Sequence, residues 1–500
     1  MSRAKTTSWH LVFQSLDVGL SIVSGLILIP LYLQFISEAT YGAWLATGNI
    51  LVWITALDPG LTAVIEQRVA SAYGEGDTEE VTNTIGAGLL FGAVISLGIV
   101  VVGSSFSVAV VSLLDLSPSI NGSIIRDAFR LAVVGSALLV FSYALSGIDQ
   151  GLQGTFGAGI AGVVAKAVGI GARIMLLYRG YGLFAIPWGN IAGAVASVLG
   201  YGGYLMYRIV TERSIQVGFT WRKARRLFEL MSYNFFGKAA NILSNNADSF
   251  IIARYIGAET VTIYRLTKKI PDLGNMFLNR VSVAFKPATS HLIGSRSPAS
   301  TRPVLIRLIL YLTWATGLGV GGILALNEIF VELWVGSEIY AGGAVNILLC
   351  GLLFVRAVYD SLSNICYSLG NIKGNSIANT VQATVYVIFV LIGAKKYGII
   401  GVAFSAILAH LAVSVWYYPY IFAHIIKAEW GDFEGVLSEV IVVAFVSTLL
   451  VSLSNLFDPY NWLSFLLAVV VYIGFYGVSL VILSSAFRRE VLNVYNKVKP

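Results

Sequence analysis

The sequence predicts an all-α, polytopic membrane protein of about fourteen transmembrane helices, and three observations carry that prediction. Hydrophobic residues fill 57% of the 500 positions and charged residues 12%, whereas a soluble domain needs about 25% charged residues to cover its surface. Mean hydropathy is +0.78, so hydrocarbon is the solvent that this composition suits. The 51 glycines outnumber the 11 prolines, which fits helices packed closely enough for their backbones to approach one another.

A crossing takes ~20 consecutive apolar residues. The first predicted helix, 11–36, follows a polar lead, Met1–Ser8, with no short apolar core ending in a small-residue cleavage site, so it is expected to remain as a membrane helix. Next come 41–60 and then 81–114, a stretch long for one crossing that is expected to tilt or to continue beyond the bilayer. Helices at 127–147, 158–179 and 183–207 complete a first group of six. The chain from Arg208 to Glu229 carries Arg208, Arg213, Arg222, Lys223, Arg225 and Arg226 and reads as a topological anchor that touches anionic lipid headgroups. A second group of six follows at 230–256, 259–285, 304–326, 341–368, 375–394 and 399–424, and two further helices at 436–455 and 461–485. The implied organisation is an N-terminal lobe (1–207), a basic loop (208–229), a C-terminal lobe (230–424), and a final pair of helices with a tail (425–500).

An even number of crossings puts both termini on one side, and the basic residues choose the cytoplasm. On that assignment the opposite side, helix ends included, holds only Arg126, Arg130, Arg179, Lys395 and Lys396. The loop with Glu328, Glu332 and Glu338 and no Lys or Arg falls on the same outer side.

The two groups of six echo each other. The turn beginning Phe35-Ile36-Ser37-Glu38 and the turn beginning Tyr255-Ile256-Gly257 lie 220 residues apart (255 − 35), as do Ala72-Tyr73-Gly74 and Leu292-Ile293-Gly294 (294 − 74). Because each group has an even number of helices, the repeat is parallel, related by an axis along the membrane normal. Transporters with that symmetry hold their substrate between the halves.

The informative residues are the polar ones that hydrocarbon excludes. In the first helix His10, Gln14, Asp17, Ser21 and Ser24 recur at helical spacing. The seventh helix repeats the pattern with Asn234, Lys238, Asn241, Asn245 and Asp248. The eighth shows Arg265, Lys268 or Lys269, Asp272, Asn275 and Asn279, and the tenth Arg356, Asp360, Ser363 or Asn364, Tyr367 and Asn371. Each set falls on one helix face. A charge at the bilayer centre costs at least ~2.5–3.5 kcal/mol, so four such faces imply a water-filled cavity between the lobes. The alternative is polar contact between tightly packed helices, with cations near helix ends reaching the interface. That alternative applies with equal weight to Arg254, Arg265 and Arg280, while the deeper Arg356, Lys238 and Lys269 favour the cavity.

Charge sign narrows the cargo. The second six helices hold Lys238, Arg254, Arg265, Lys268, Lys269, Arg280 and Arg356 against Asp248, Asp272 and Asp360, whereas in the first six Lys166 and Arg173 balance Asp17 and Asp58. A net-positive lining attracts an anion and repels cationic drugs. Phosphate suits Arg, which meets it through two donors, and Lys, which meets it as a point charge. Asp17 has no basic residue within a turn on its own helix, which makes it the first candidate for ion coupling, ahead of Asp248.

Several chemistries lack their motifs. Phe236-Gly237-Lys238-Ala239 has neither the spacing nor the hydroxyl of a nucleotide-binding loop, so ATP-driven transport by this chain alone is not expected. There is no H-E-x-x-H and no G-x-S-x-G, and the outer loops are too short for the catalytic loop of a membrane glycosyl-polymerase. Cys350 and Cys366 fall in one apolar segment, which gives neither a disulfide framework nor a metal site. No cofactor is expected, and the sequon Asn121-Gly122-Ser123 is a common chance match.

Two runs carry a resemblance. Leu57-Asp58-Pro59-Gly60-Leu61, followed by Gln67-Arg68-Val69-Ala70 and Tyr73-Gly74-Glu75-Gly76-Asp77, resembles the end of the second helix in Wzx-type polysaccharide flippases. The run Ala247-Asp248-Ser249-Phe250-Ile251-Ile252-Ala253-Arg254-Tyr255-Ile256-Gly257, with Tyr264 beyond, resembles that family's helix-seven segment. Helix number and the paired turns extend the likeness along nearly the whole chain. The family usually has an apolar residue where Pro59 stands; proline breaks or kinks a helix, so Asp58 is expected to cap the freed amides or else to take part in proton coupling.

What the resemblance implies is a flippase of the multidrug/oligosaccharidyl-lipid/polysaccharide superfamily in the bacterial cytoplasmic membrane. Such a protein moves an oligosaccharide on an undecaprenyl diphosphate carrier from the inner to the outer leaflet, its two lobes alternating access. A proton or sodium gradient, or product consumption, would drive the cycle, and a polysaccharide polymerase would be a partner in assembly. The lipid tail would lie against helices thirteen and fourteen. A lipid II flippase and a cation-coupled multidrug exporter share the architecture, and a membrane glycosyl-polymerase is the alternative from the enzyme class.

Overall fold

The computed structural model describes residues 3–55, 61–114, 116, 120–212, 215–225, 229, 247–284, 298–368, 371–426, 430–454 and 459–498. Its elements are α1 (Arg3–Phe35), α2 (Glu38–Thr55), α3 (Leu61–Glu75), α4 (Thr78–Leu114), α5 (Gly122–Gly151), α6 (Thr155–Tyr178) and α7 (Ala185–Thr211). After the basic loop come α8 (Asp248–Tyr255), α9 (Ala258–Thr267), α10 (Lys269–Ala284), α11 (Pro298–Val335), α12 (Gly343–Ser368) and α13 (Ile372–Ala412). The chain closes with α14 (Ser414–Ile426), α15 (Trp430–Ser454), α16 (Trp462–Leu483) and α17 (Ser485–Val498). No strand occurs among the described residues, and ten of their helical stretches are long and apolar enough to cross a membrane. The protein is an all-α polytopic membrane protein, as its composition predicts.

Several boundaries differ from those read in the sequence. The segment after the second predicted helix is α3, whose Leu61, Ile65 and Val69 are fully buried; its Glu66, Gln67 and Arg68 lower the local hydropathy and disguise a helix that packs on the protein core. The long third stretch is one helix, α4, of 37 residues, about 55 Å at 1.5 Å per residue and well beyond a ~30 Å hydrocarbon layer. The predicted 304–326 extends in the same way into the 38 residues of α11, taking in Glu328 and Glu332. The tail after the last span includes the amphipathic helix α17. Asn121, dismissed as half of a chance sequon, caps α5 by accepting from the Ser123 amide at 3.1 Å.

These boundaries extend the 220-residue echo. Phe35 and Tyr255 end α1 and α8, Glu38 and Ala258 begin α2 and α9, and Thr78 and Pro298 begin the two long helices α4 and α11.

Two compact units divide the chain, Met1–Val261 and Thr262–Pro500. In the first, the core gathers Leu61, Ile65 and Val69 of α3, Val81 and Ile85 of α4, Leu145 and Ile148 of α5, and Leu205 of α7. Helices α6 and α7 pack through small residues: a Cβ on Gly169 would lie 3.3 Å from the Gly193 Cα, and one on Gly193 would lie 3.3 Å from the Ala165 carbonyl oxygen. That close approach is the membrane mode of helix packing, in which dispersion replaces the hydrophobic effect. The basic loop also docks here. The Gly218 amide donates to the Thr82 carbonyl at 3.1 Å, Thr220 donates to the Asn83 side chain at 2.6 Å, and Lys223 bridges Glu79 and Glu80 at 3.2 and 2.9 Å. The hydrogen-bonded Glu80 carboxylate holds the Lys223 ammonium above its ordinary range. This cation therefore belongs to the protein's own fold rather than to the lipid contacts expected of the loop.

In the second unit one core cluster joins Leu305, Leu308 and Leu312 of α11 to Cys366 of α12 and to Tyr418 and Phe422 of α14. Another joins Trp314 to Val443, Val446 and Leu450 of α15 and to Tyr472, Tyr476 and Leu480 of α16. Cys350 and Cys366 are free and buried. Helix α13 turns back on itself at Gly398, where φ is 59° and ψ −143°, a conformation open in practice to glycine alone. Its two arms then pack backbone to backbone at Gly393 and Gly401, and Ser405 donates across them to the Phe389 carbonyl at 2.9 Å. The turn separates the predicted helices 375–394 and 399–424.

Gly398→Ala is expected to destabilise the purified protein by about 1–3 kcal/mol. Gly474→Ala, in the open interior of α16 with nothing within 4 Å of the added Cβ, is expected to leave the melting temperature unchanged or raise it. Melting curves of the two variants in the same detergent check the contrast.

Candidate functional site: a polar cavity and two sets of buried charge

The first unit has a half-open pocket of about 180 Å³ lined by Phe13 and Asp17 of α1, Ser146 and Gln150 of α5, Thr155, Ala158, Gly159, Gly162 and Val163 of α6, and Tyr201 of α7. Glycines make the room: a Cβ on Gly159 would strike the Phe13 ring and one on Gly162 would come within 2.7 Å of the Tyr201 hydroxyl. At its edge Lys166 of α6 reaches Asp17. The ammonium donates to the Asp17 carboxylate at 2.5 Å, to the Asp17 backbone carbonyl at 2.7 Å and to the Ser21 hydroxyl at 2.5 Å. Gln150 donates to Ser146 at 2.8 Å on the opposite wall. Sequence reasoning saw no cation near Asp17 because it looked along one helix. The partner comes from another, 149 positions on.

Beside the cavity lies a carboxylate that the sequence reading missed. Asp149 of α5 is wholly buried, and neither of its oxygens has a hydrogen-bond partner. Arg208 of α7 is the cation within electrostatic reach. The Arg208 guanidinium donates to the Leu152 carbonyl at 3.3 Å and to Glu212 at 2.9 Å, so one arginine ties the end of α5 to α7. The predicted fourth helix stopped at 147, which placed Asp149 in a loop; the structure carries the helix to Gly151 and the charge into the interior. Arg173 serves packing in the same unit. It donates to Asn190 at 2.5 Å and its stem lies where a Cβ on Gly189 would be.

Most of the cations expected to line the cavity belong to the second unit, which starts at Thr262. Arg356 lies within electrostatic reach of Asp360, one turn on, and of His410 on α13, which is buried and pairs with Gln382 at 3.0 Å. The stripes of the eighth and tenth predicted helices meet, with Asn364 of α12 donating to Asn279 of α10 at 3.4 Å. Lys268 stands between α9 and α10, 6% exposed, with its ammonium 5.6 Å from the centre of the Tyr264 ring. Lys269 is half-buried and within electrostatic reach of Asp272 and Arg265. Other stripe residues are spent on packing. Asn375 donates to Ser363 at 3.0 Å and Asn371 to the Tyr417 hydroxyl at 3.0 Å, the interhelical contacts that the alternative reading anticipated. Asp248 is buried in the first unit, where its carboxylate accepts from the Ser249 amide at 2.8 Å. Asp58 and Lys238 lie outside the described residues, as does the side chain of Arg280.

A second missed carboxylate is Glu439 of α15, 5% exposed. It accepts from the Trp314 indole at 2.9 Å and from the Ser484 hydroxyl at 2.7 Å. It is satisfied by neutral donors and joins α11, α15 and the start of α17. No group of three or more His, Cys, Asp or Glu residues placed to hold a metal occurs among the described residues.

The fold these helices build is a known one. The chain superimposes on the lipid II flippase MurJ in an inward closed conformation with a TM-score of 0.69 at 16% identity, covering 96% of this chain and 100% of that one. An inward-facing multidrug resistance MATE family transporter of the MOP superfamily gives 0.67 at 16% identity, over 84% and 99%. A MOP superfamily transporter from Pyrococcus furiosus, described as having a binding pocket of reverse polarity, gives 0.58 at 16%, over 85% and 97%. At this identity the likeness establishes the fold. Residues 131–337, under half of the chain, match a family model described as polysaccharide biosynthesis protein. No curated protein matches the sequence.

Arg208 acts on Asp149 by charge without an ion-pair contact, and removing a cation near a buried carboxylate leaves that charge less compensated, at a cost of up to about 3–5 kcal/mol. Arg208→Gln is therefore expected to destabilise the protein by an amount in that range, and Asp149→Asn/Arg208→Gln to recover a substantial part of the loss. Thermal denaturation of the three proteins checks the order.

Proposed function

We propose that the chain is a flippase that carries a lipid-linked oligosaccharide, on an undecaprenyl diphosphate carrier, from the inner to the outer leaflet of the bacterial cytoplasmic membrane. The observation that carries the reading is a fold shared with a lipid II flippase over 96% of the chain, inside which residues 131–337 match a polysaccharide biosynthesis family. The cations of the second unit suit the cargo. A diphosphate is a dense anion that Arg and Lys recognise, and a net-positive lining disfavours the cationic cargo of a drug exporter. The chain acts as a transporter rather than an enzyme, with both termini in the cytoplasm and the lobes divided at the basic loop 208–229. For a coupling ion, proton or sodium, the carboxylates put forward are Asp17, Asp248 and Asp58, and at Asp17 that role requires the Lys166 pair to open.

Arg356 contacts the diphosphate, with Lys238, Lys268, Lys269, Arg265 and Arg280 as further cargo cations; Lys166 and Arg173 of the first lobe, expected from the sequence to join them, are engaged by Asp17 and Asn190. In proteoliposomes Arg356→Ala is expected to abolish flipping of a lipid-linked oligosaccharide while protein levels stay unchanged. Full transport by that variant removes Arg356 from the cargo site, and recovery in Arg356→Ala/Asp360→Ala assigns it to local pairing instead. Running the same vesicles with lipid II as cargo separates this reading from the second one, a lipid II flippase, which the fold likeness to MurJ favours.

Asp17→Asn is expected to leave flipping insensitive to an imposed pH gradient that accelerates the wild type. A wild-type protein indifferent to the gradient refutes proton coupling, and a variant that still responds moves the role to another carboxylate.

A further inference from the structure

The contacts of Lys166 form a closed set. An ammonium has three protons, and here each has an oxygen: the Asp17 carboxylate at 2.5 Å, the Asp17 carbonyl at 2.7 Å and the Ser21 hydroxyl at 2.5 Å. Ser21 in turn donates to the Asp17 carbonyl at 2.9 Å, which orients its lone pairs toward the cation. One carboxylate, one backbone carbonyl and one hydroxyl converging on a point are hard oxygen ligands carrying a single negative charge. That set would hold a monovalent metal ion as readily as an ammonium. The polar cavity beside it, with Ser146, Gln150, Thr155 and Tyr201 on its walls, has space for the water that would complete a metal's shell. The carboxylate side chain is 57% exposed, so a cation from solution can reach it.

We propose that α1 carries a monovalent-cation site in which the ammonium of Lys166 is the resident cation, tethered from α6 in place of sodium or potassium. The Ser21 hydroxyl and the Asp17 carbonyl are held together by their own bond along α1, and the pair adds two oxygens to the one carboxylate oxygen that an ion pair needs. The cage stands on its own geometry.

The test is cation binding by the purified, detergent-solubilised full chain, independent of transport. Melting temperature is followed with graded sodium chloride against choline chloride at constant ionic strength. Lys166→Met is expected to gain a saturable stabilisation by sodium or potassium that exceeds any shown by the wild type, with an apparent affinity at least about tenfold higher, since a ligand that binds only the folded state raises stability by mass action. The increment is expected to vanish in Lys166→Met/Asp17→Asn. Lys166→Ala, with more room in the cage, is expected to be stabilised by methylammonium as well, and serves if the Met variant does not fold. Variants that fold and gain no cation-dependent stability overturn the proposal and leave Lys166 as a structural link between α1 and α6. A wild type that shows the same Asp17-dependent stabilisation by sodium overturns it too, because the cage would then accept a metal with the lysine in place.

Discussion

Hydrocarbon offers no hydrogen bonds, and the rest of this structure depends on that constraint. Each backbone amide within the bilayer has to find its partner inside the chain, which is why the described residues are built from helices. Many side chains obey the same rule. The two terminal nitrogens of Arg208 donate to Leu152 and Glu212, Glu439 takes its hydrogen bonds from an indole and a serine, and Lys166 fills all three of its proton positions. The rule is relaxed at a few buried atoms among the described residues, the two carboxylate oxygens of Asp149 and the side-chain oxygens of Asn327 and Asn375 among them.

The two units use their charges differently. In the first, the cations within the helices meet partners over short distances: Lys166 with Asp17, Arg208 with Glu212, Arg173 with Asn190. In the second, Arg265, Lys268 and Lys269 gather where α9 gives way to α10, while Arg356 sits with Asp360 and His410 on α12 and α13.

Much of the fold was legible because hydropathy is a strong signal when hydrocarbon is the solvent. Composition alone decided the class, and the 220-residue echo seen in two short turns reappears in the helix boundaries at Phe35/Tyr255 and Thr78/Pro298. What failed to show was whatever depends on two helices at once. Helix α3 hid behind Glu66, Gln67 and Arg68, which a hydropathy window averages against the buried Leu61, Ile65 and Val69. Asp149 and Glu439 sat at the ends of apolar runs, where a charged residue ordinarily reaches water, and only the neighbours brought in by α7 and α11 make them interior. Asp17 was singled out for its place on a polar stripe and ranked first for the lack of a cation beside it on α1, and the second ground fails because Lys166 reaches it from α6. Its partner lies 149 residues away, and no periodicity along one helix reveals it.

The hairpin at Gly398 has a consequence for how the chain is assembled. Its two arms are joined by one residue, so bringing them together costs almost no loop-closure entropy, and every contact between them is short in sequence. A nascent chain can therefore close this pair as soon as both arms have left the ribosome, before α14, α15 or α16 exists. The later helices meet an element already folded, and a single achiral residue at its tip sets the order in which this part of the molecule is made.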